Sequence, residues 1–110
     1  MHDPRLPPLT HLQFLILSTL LEDDRSGREM RTALDAFGAA KTAAAFYQTM
    51  ARLERAGLVD GWYDQIVVGD QAVTERRYTL KPLGRKLVDE TRRFYTSTAA
   101  ATLKRRLSNG

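Results

Sequence analysis

The first helix predicted from the sequence is apolar on nearly every side. A proline-rich opening, residues 1–9, favours an extended arm, because each proline fixes its own φ and disfavours helix in the residue before it. Thr10, followed three residues later by Gln13, forms the capping-box pattern of a helix start. Between His11 and Leu21 the hydrophobic residues leave almost no polar face. Such a helix must be covered on more than one side, and one small core would not cover it.

Two further helices are predicted before residue 57. Ser26 and Glu29 repeat the capping-box pattern, and the second helix is expected to run to about Ala36. Its inward positions are predicted to be Met30, Leu34 and Phe37. After a short turn, a third helix is expected from Thr42 to the stop that Gly57 supplies. Its apolar row, at helical spacing, is Phe46, Met50 and Leu53.

The pattern then changes to strand formers, which lie between residues 58 and 67 and again between residues 73 and 80. Gly69 and Asp70 lie between the two segments, so we expect a hairpin with a long, loose tip. Pro82 starts a last helix that has no obvious breaker before Ser108. Its predicted apolar stripe is Leu83, Leu87, Phe94 and Thr98.

This order of elements is that of a winged helix-turn-helix, a mainly α (α+β) fold with a long C-terminal dimerisation helix. We expect an extended arm at 1–9, a winged-helix domain at 10–80, and the dimerisation helix with a short tail at 81–110. The 26 residues from Pro82 to Leu107 would span about 39 Å, longer than one side of so small a core. Part of the helix must project, and pairing with a second copy would cover its apolar residues. The predicted dimer interface contains Leu12, Leu15, Ile16, Leu87, Phe94, Tyr95, Thr98 and Leu103.

Composition narrows the class of protein without identifying it. The 110 residues include 17 Lys and Arg against 13 Asp and Glu, and the net charge of +4 favours a polyanionic partner only mildly. Cysteine is absent, which excludes disulfides and fits a reducing cytoplasm. Two histidines cannot form a metal cluster, and no nucleophile or phosphate-loop motif is present. We therefore expect no enzyme activity, no metal, no cofactor, and no membrane partner.

Several short motifs resemble those of the PadR family of bacterial regulators. They are the apolar segment 12–21, Tyr47, Arg52-Leu53-Glu54, Ala56-Gly57-Leu58-Val59, Arg77-Tyr78-Thr79-Leu80 and Gly84-Arg85. The resemblance covers roughly residues 9 to 95. It implies a winged helix followed by a dimerising helix, usually repressor activity, and in some members release from DNA by phenolic or planar aromatic compounds.

The expected DNA-facing residues lie on the third helix, on the side not taken by its apolar row. They are Lys41, Thr42, Ala44, Ala45, Gln48, Thr49 and Arg52. Glutamine can pair with adenine and small side chains can contact the thymine methyl, so an A·T-containing half-site is predicted. Because the two recognition helices of a dimer would lie about 34 Å apart, the operator is predicted to be near-palindromic. A purely structural interpretation is equally open, in which the alanines favour helix and the threonine caps it. For Tyr47 the resemblance implies that the ring packs and the hydroxyl reaches a phosphate, with a core-edge role as the alternative.

The hairpin is the least typical part of this expected interface. Residues 67–74 contain no Lys or Arg and one Asp, whereas wings in the family commonly carry basic residues there. If the hairpin contacts phosphate, it must do so through its backbone or through Arg76 or Arg77. These two adjacent residues must point to opposite faces of a strand, so only one of them easily meets DNA. The alternative function is a winged-helix protein-interaction module that does not bind DNA. An aromatic effector would contact Trp62, Phe94 and Tyr95, although aromatic residues at these positions are more often part of the core.

Overall fold

The computed structural model describes residues 6–109, with side chains described for residues 6–99. The described part contains four helices and three strands in the predicted order, apart from one short strand that the sequence did not indicate. The elements are α1 (His11–Ser18), β1 (Arg25–Ser26), α2 (Gly27–Ala36), α3 (Ala43–Arg55), β2 (Val59–Val68), β3 (Gln71–Leu80) and α4 (Pro82–Asn109). The predicted fold class, a winged helix-turn-helix with a long last helix, is confirmed.

Local hydrogen bonds fix the starts of the first three helices, as predicted. The Thr10 hydroxyl accepts from the Gln13 amide at 3.1 Å, and the Gln13 side chain accepts from the Thr10 amide at 3.0 Å. Ser26 and Glu29 form the same reciprocal pair, with both distances at 3.0 Å. The Thr42 hydroxyl caps α3. Each cap is worth about 1 kcal/mol of helix stability.

One helix end and one inward-facing position differ from the prediction. The first helix stops at Ser18 instead of Leu21, since the Thr19 amide and hydroxyl both turn back to the Ile16 carbonyl. The second helix stops at Ala36, so Phe37 leaves the helical spacing and is 67% exposed. The prediction that Phe37 faces the core was wrong.

The three strands form an antiparallel sheet in the order β1-β3-β2. The hairpin of β2 and β3, called the wing below, stays paired from Val59 opposite Leu80 to Val68 opposite Gln71. A two-residue turn of Gly69 and Asp70 joins the strands, and the φ of 64° at Gly69 is one that glycine adopts without strain. The predicted long, loose tip was therefore wrong.

One hydrophobic core joins the N-terminal helices, the base of the wing and the first half of α4. It consists of Leu9, Ile16, Leu17, Leu20, Met30, Leu34, Phe46, Met50, Leu53, Leu58, Val59, Tyr78 and Val88. Leu9, from the predicted arm, is thus part of the core, as is Ile16, which was expected at the dimer interface. Among the described residues, no helix is both long and apolar enough to cross a membrane.

The last helix packs on the core along a different stripe from the predicted one. Val88 and Thr91 are fully buried, whereas Leu83 and Thr98 are exposed. The Thr91 hydroxyl donates to the Leu87 carbonyl at 2.7 Å, which lets a polar side chain occupy a buried position. At the start of the helix, Gly84 lies so close to the Leu58 carbonyl that a Cβ would collide with it.

Candidate nucleic-acid interface

The third helix presents the predicted polar face to solvent. Its buried side chains are Phe46, Met50 and Leu53. Of the predicted DNA-facing residues, Lys41, Thr42, Ala44, Gln48 and Arg52 are exposed, whereas Ala45 and Thr49 are partly buried. The structure also assigns local roles to the two threonines. Thr42 caps the helix, and the Thr49 hydroxyl donates to the Ala45 carbonyl at 3.0 Å.

Tyr47 lies at the border between this face and the core. Its ring packs edge-on against Phe46, with 5.1 Å between the ring centroids. The ring also lies across Gly27, the first residue of α2, where an added Cβ would be 2.5 Å from the Tyr47 hydroxyl oxygen. Because α2 has glycine at this position, the tyrosine can pack there and still keep more than a third of its surface exposed.

Arg76 is held at the base of the wing by a group that we call the Arg76 clamp, formed by Arg76, Glu54, Tyr63 and Tyr78. The guanidinium donates to the Glu54 carboxylate at 2.6 Å, which links the wing to α3. It also lies 4.7 Å from the ring centroid of Tyr63 and 5.7 Å from that of Tyr78. The two charged side chains are only 24% and 26% exposed.

The clamp shifts the pKa values of two of its members. Burial acts against the charge of Arg76, but the Glu54 carboxylate and the Tyr78 hydroxyl together raise the pKa of the guanidinium. Burial also raises the pKa of Tyr78 to about 12, against the opposing effect of Arg76. The Tyr78 hydroxyl is therefore protonated at neutral pH.

Arg77 faces the other side of the sheet, as strand alternation predicted. It lies 3.4 Å from the Glu29 carboxylate and 3.7 Å from that of Glu75, and it donates to the Asp24 carbonyl at 3.4 Å. The pKa of Glu29 is lowered, mainly because the Ser26 amide donates to it, with Arg77 and Arg25 adding a smaller effect. Both arginines of the wing base are therefore paired with carboxylates, and contact of either one with DNA stays a prediction.

A groove of about 910 Å³ lies between α3 and the wing. Its lining comes from α2, α3 and both strands of the hairpin, and it comprises Arg28, Tyr47, Ala51, Glu54, Tyr63, Ile66, Val68, Val73, Thr74, Glu75, Arg76 and Tyr78. Sequence reasoning missed this α3–wing groove, because its members become neighbours only when the hairpin folds against the helix. Arg28, at its edge, is 3.4 Å from the Glu75 carboxylate.

The predicted dimer surface lies where α1 packs against α4. Leu12, Leu15, Leu87 and Phe94 are partly buried there, and Tyr95 is more exposed. Tyr95 also contacts Phe14 and Phe94, at centroid distances of 5.9 and 5.5 Å. Two predicted members do not fit this surface as expected, because Ile16 is fully buried within its own chain and Thr98 is exposed beyond the packed part of α4. Leu103 lies outside the residues whose side chains are described.

The three residues of the predicted effector site lie on two elements, β2 and α4. Phe94 and Tyr95 are neighbours on α4, whereas Trp62 lies on the wing opposite Arg77. Among the described side chains, no aromatic pair joins Trp62 to either of them. In the same part of the chain, no three His, Asp or Glu side chains cluster in a way that could hold a metal ion.

Comparison with known proteins places this architecture among solved structures. No protein-family description matches the sequence, and no curated protein matches it either. A PadR family transcription regulator from Clostridium difficile superimposes with a TM-score of 0.72 and 16% identity, over 86% of this chain and 97% of that one. A PadR family regulator from Eggerthella lenta gives 0.66 and 25% identity, over 84% and 79%.

A third match is the Bacillus subtilis PadR in complex with operator DNA, with a TM-score of 0.60 and 19% identity. It covers 74% of this chain and 46% of that one, so the matched part spans less than half the length of that protein. The Clostridium difficile and Eggerthella lenta proteins are both named as transcription regulators. The fold of this chain is that of the PadR-like winged-helix transcription regulators.

Proposed function

We propose that the chain is a DNA-binding transcription regulator whose third helix enters the major groove. The observation that carries the proposal is the face of α3, where Ala44, Gln48 and Arg52 are exposed while the opposite side is anchored in the core. Lys41 is exposed just before the helix. Small and polar side chains on an anchored helix can approach base edges closely. The Bacillus subtilis PadR, which has the same fold, has been solved with operator DNA.

Within this proposal the elements have different roles. Lys41 and Tyr47 contact phosphates, and Gln48 pairs with adenine in an A·T-containing half-site. Arg76 and Arg77 set the position of the wing, since both are already paired with carboxylates. A binding selection dominated by G·C half-sites would contradict the role of Gln48.

We further propose a symmetric homodimer formed through α1 and α4. Leu12, Leu15, Leu87 and Phe94 are only partly covered within one chain, and Tyr95 is more exposed still. A second copy would cover this apolar strip and place two recognition helices about 34 Å apart, as a near-palindromic operator requires. Repression, release by a small aromatic effector, and a cytoplasmic location complete the proposal, on the strength of the family resemblance.

A salt titration tests the DNA-binding role. Fluorescence anisotropy with a labelled random duplex should show weak binding that falls linearly in log K against log salt, because bound phosphates release counterions. Lys41→Ala with Gln48→Ala should abolish selection of a specific site from genomic fragments. Lys86→Ala, which removes an exposed lysine on α4, is the control and should bind like the parent.

Sedimentation tests the dimer. Tyr95→Glu places a charge on the proposed interface and should shift the protein to monomer, whereas Phe37→Glu changes an exposed aromatic residue away from it and should not. A parent protein that sediments as a monomer at micromolar concentration would remove the dimer from the proposal.

A second candidate function, a protein-interaction module that does not bind DNA, is favoured by the wing. Its tip, residues 65–74, has no basic side chain, and both arginines at its base are paired. Such a module would leave random duplex unbound even at low salt. The anisotropy titration therefore decides between the two functions.

A further inference from the structure

We propose that the outer edge of β2 is a docking site for an extended peptide strand in which apolar and basic residues alternate. Because the strand order is β1-β3-β2, one side of β2 pairs with β3, and the other side meets no strand among the described residues. An added strand would extend the sheet there through backbone hydrogen bonds. This proposal does not require the protein to bind DNA.

The edge of β2 lacks the features that usually prevent another strand from pairing with it. The strand is 10 residues long, and its register with β3 runs without a bulge from Val59 to Val68. It contains no proline and no lysine. Edge strands of natural proteins are commonly short or bulged, or they carry lysine or proline. The edge of β2 is therefore open to pairing.

Alternate residues of β2 turn their backbone groups to the open side. In a hairpin with a two-residue turn, the pair that flanks the turn is hydrogen-bonded, and bonded and non-bonded pairs then alternate along the strands. Counted from Val68, the amides of Tyr63, Gln65 and Val67 point outward. The Gln65 amide donates to the neighbouring Asp64 carboxylate at 3.0 Å. This carboxylate thus occupies the position that a carbonyl of an added strand would take.

The side chains beside the edge determine which strand would fit. Tyr63 and Val67 lie on the face of the hairpin that is directed toward α3, and they are 71% and 75% exposed. Asp60 and Asp64 lie on the opposite face, and both are exposed. A strand with apolar residues on the first face and lysines on the second would cover the apolar side chains and meet the carboxylates. Val68, next to Asp64 on the second face, suits the aliphatic stem of a lysine.

The charge of the wing favours a basic peptide over a second wing or a phosphate backbone. Residues 59–75 include four acidic residues and no basic ones. Glu75 is paired with Arg28 and Arg77, but Asp64 and Asp70 form no ion pair within the described part of the chain. Two such edges would repel each other, and each would repel phosphate, whereas a basic strand would be attracted.

Fluorescence anisotropy of the DNA-free protein tests the edge with a labelled ten-residue peptide of alternating valine and lysine. A peptide of the same composition, with its valines and lysines in separate blocks, should bind at least tenfold more weakly, because it cannot match both faces. Gln65→Pro removes an outward amide and keeps the bonds to β3, so it should abolish binding. Thr74→Pro is the matched control, since Thr74 lies opposite Gln65 and its amide points to the other edge of the hairpin. It should leave the affinity unchanged.

A second pair of variants tests the charge and leaves the backbone intact. Asp64→Asn keeps an acceptor for the Gln65 amide but removes the carboxylate charge, and it should weaken peptide binding about threefold. Asp23→Asn is the matched control, because the exposed Asp23 carboxylate also accepts from the next amide, at 2.8 Å, in the loop after α1. It should have no effect.

Several results would overturn the proposal. They are absence of binding up to about 1 mM, equal binding of the block peptide, tighter binding of an alternating valine and glutamate peptide, and loss with Thr74→Pro in place of Gln65→Pro. Sedimentation tests the other occupant, because a parent assembly that Gln65→Pro dissociates would mean that a second copy pairs with the edge. If circular dichroism shows that Gln65→Pro is unfolded, equal affinities of Asp64→Asn and Asp23→Asn would overturn the proposal instead.

Discussion

Replacing Arg76 with methionine is expected to lower the free energy of unfolding by about 2 kcal/mol. The substitution removes the guanidinium of the Arg76 clamp and keeps a side chain of similar length. It breaks the 2.6 Å bond to Glu54 and the contact with the Tyr63 ring. The wing thereby loses its charged link to α3.

The magnitude follows from the partial burial of the pair. A hydrogen bond to a charged group contributes about 1.5–3 kcal/mol, and the exposure of one quarter on each side places this one at the lower end. Stacking of the guanidinium on an exposed tyrosine adds about 0.5 kcal/mol. Arg92 offers a matched comparison, since it donates to Asp89 at 2.7 Å but the two side chains are 62% and 41% exposed. Arg92→Met should therefore cost only about 0.3 kcal/mol.

Urea unfolding followed by circular dichroism measures both variants. All titrations must use one protein concentration, because a dimer makes the apparent stability depend on it. Glu54→Gln, alone and together with Arg76→Met, completes a double-mutant cycle, whose coupling energy should be about 1 kcal/mol. Equal losses for Arg76→Met and Arg92→Met, or a coupling energy near zero, would refute the idea that the clamp stabilises the wing.

Three other predictions follow from close contacts and from one shifted pKa. Gly84→Ala should cost about 1–3 kcal/mol in urea unfolding, because its Cβ meets the Leu58 carbonyl, a backbone atom that cannot rotate away; an unchanged midpoint would contradict this. Gly27→Ala should lower the free energy of unfolding by about 1 kcal/mol in the parent but not in a Tyr47→Ala background, because the atoms that a Cβ at position 27 would meet belong to the Tyr47 ring. A loss that persists without the ring would contradict this contact. Because the pKa of Glu29 is lowered in the folded protein, its carboxylate stabilises the fold above the ordinary pKa of 4.5, and this stability is lost as the pH falls through the lower pKa of the folded state. Glu29→Gln can still cap the helix but does not titrate, so it should flatten the acid limb of a plot of unfolding free energy against pH. An identical acid limb would count against the Glu29 contacts.

The sequence predicted those features that depend on neighbours only a few residues away. The capping pairs of Thr10 with Gln13 and of Ser26 with Glu29 were readable because each bond spans three residues. The short strand β1 was missed, since two residues carry no periodicity and their pairing with β3 is a long-range event. The stripe of α4 was misplaced because Thr91 is polar, and its burial depends on a bond to a carbonyl of its own helix.

In the candidate interface, too, only the features that depend on residues close together in the sequence could be predicted. Alternation along a strand correctly placed Arg76 and Arg77 on opposite faces. Their carboxylate partners could not be read from the sequence, because Glu54 and Glu29 are 22 and 48 residues away from them. The same holds for the α3–wing groove, which exists only when the helix and the hairpin lie side by side.

The Leu58 carbonyl connects the start of α4 to the junction of α3 and β2. It accepts a hydrogen bond from the Lys81 amide at 3.0 Å and lies against Gly84, so the first turn of α4 moves with the junction of α3 and β2. The 28 residues of α4 form a lever about 42 Å long, and a tilt of about 5° at this connection displaces its far end by about 4 Å. In a symmetric pair, the angle at which the two levers cross would therefore set the distance between the recognition helices.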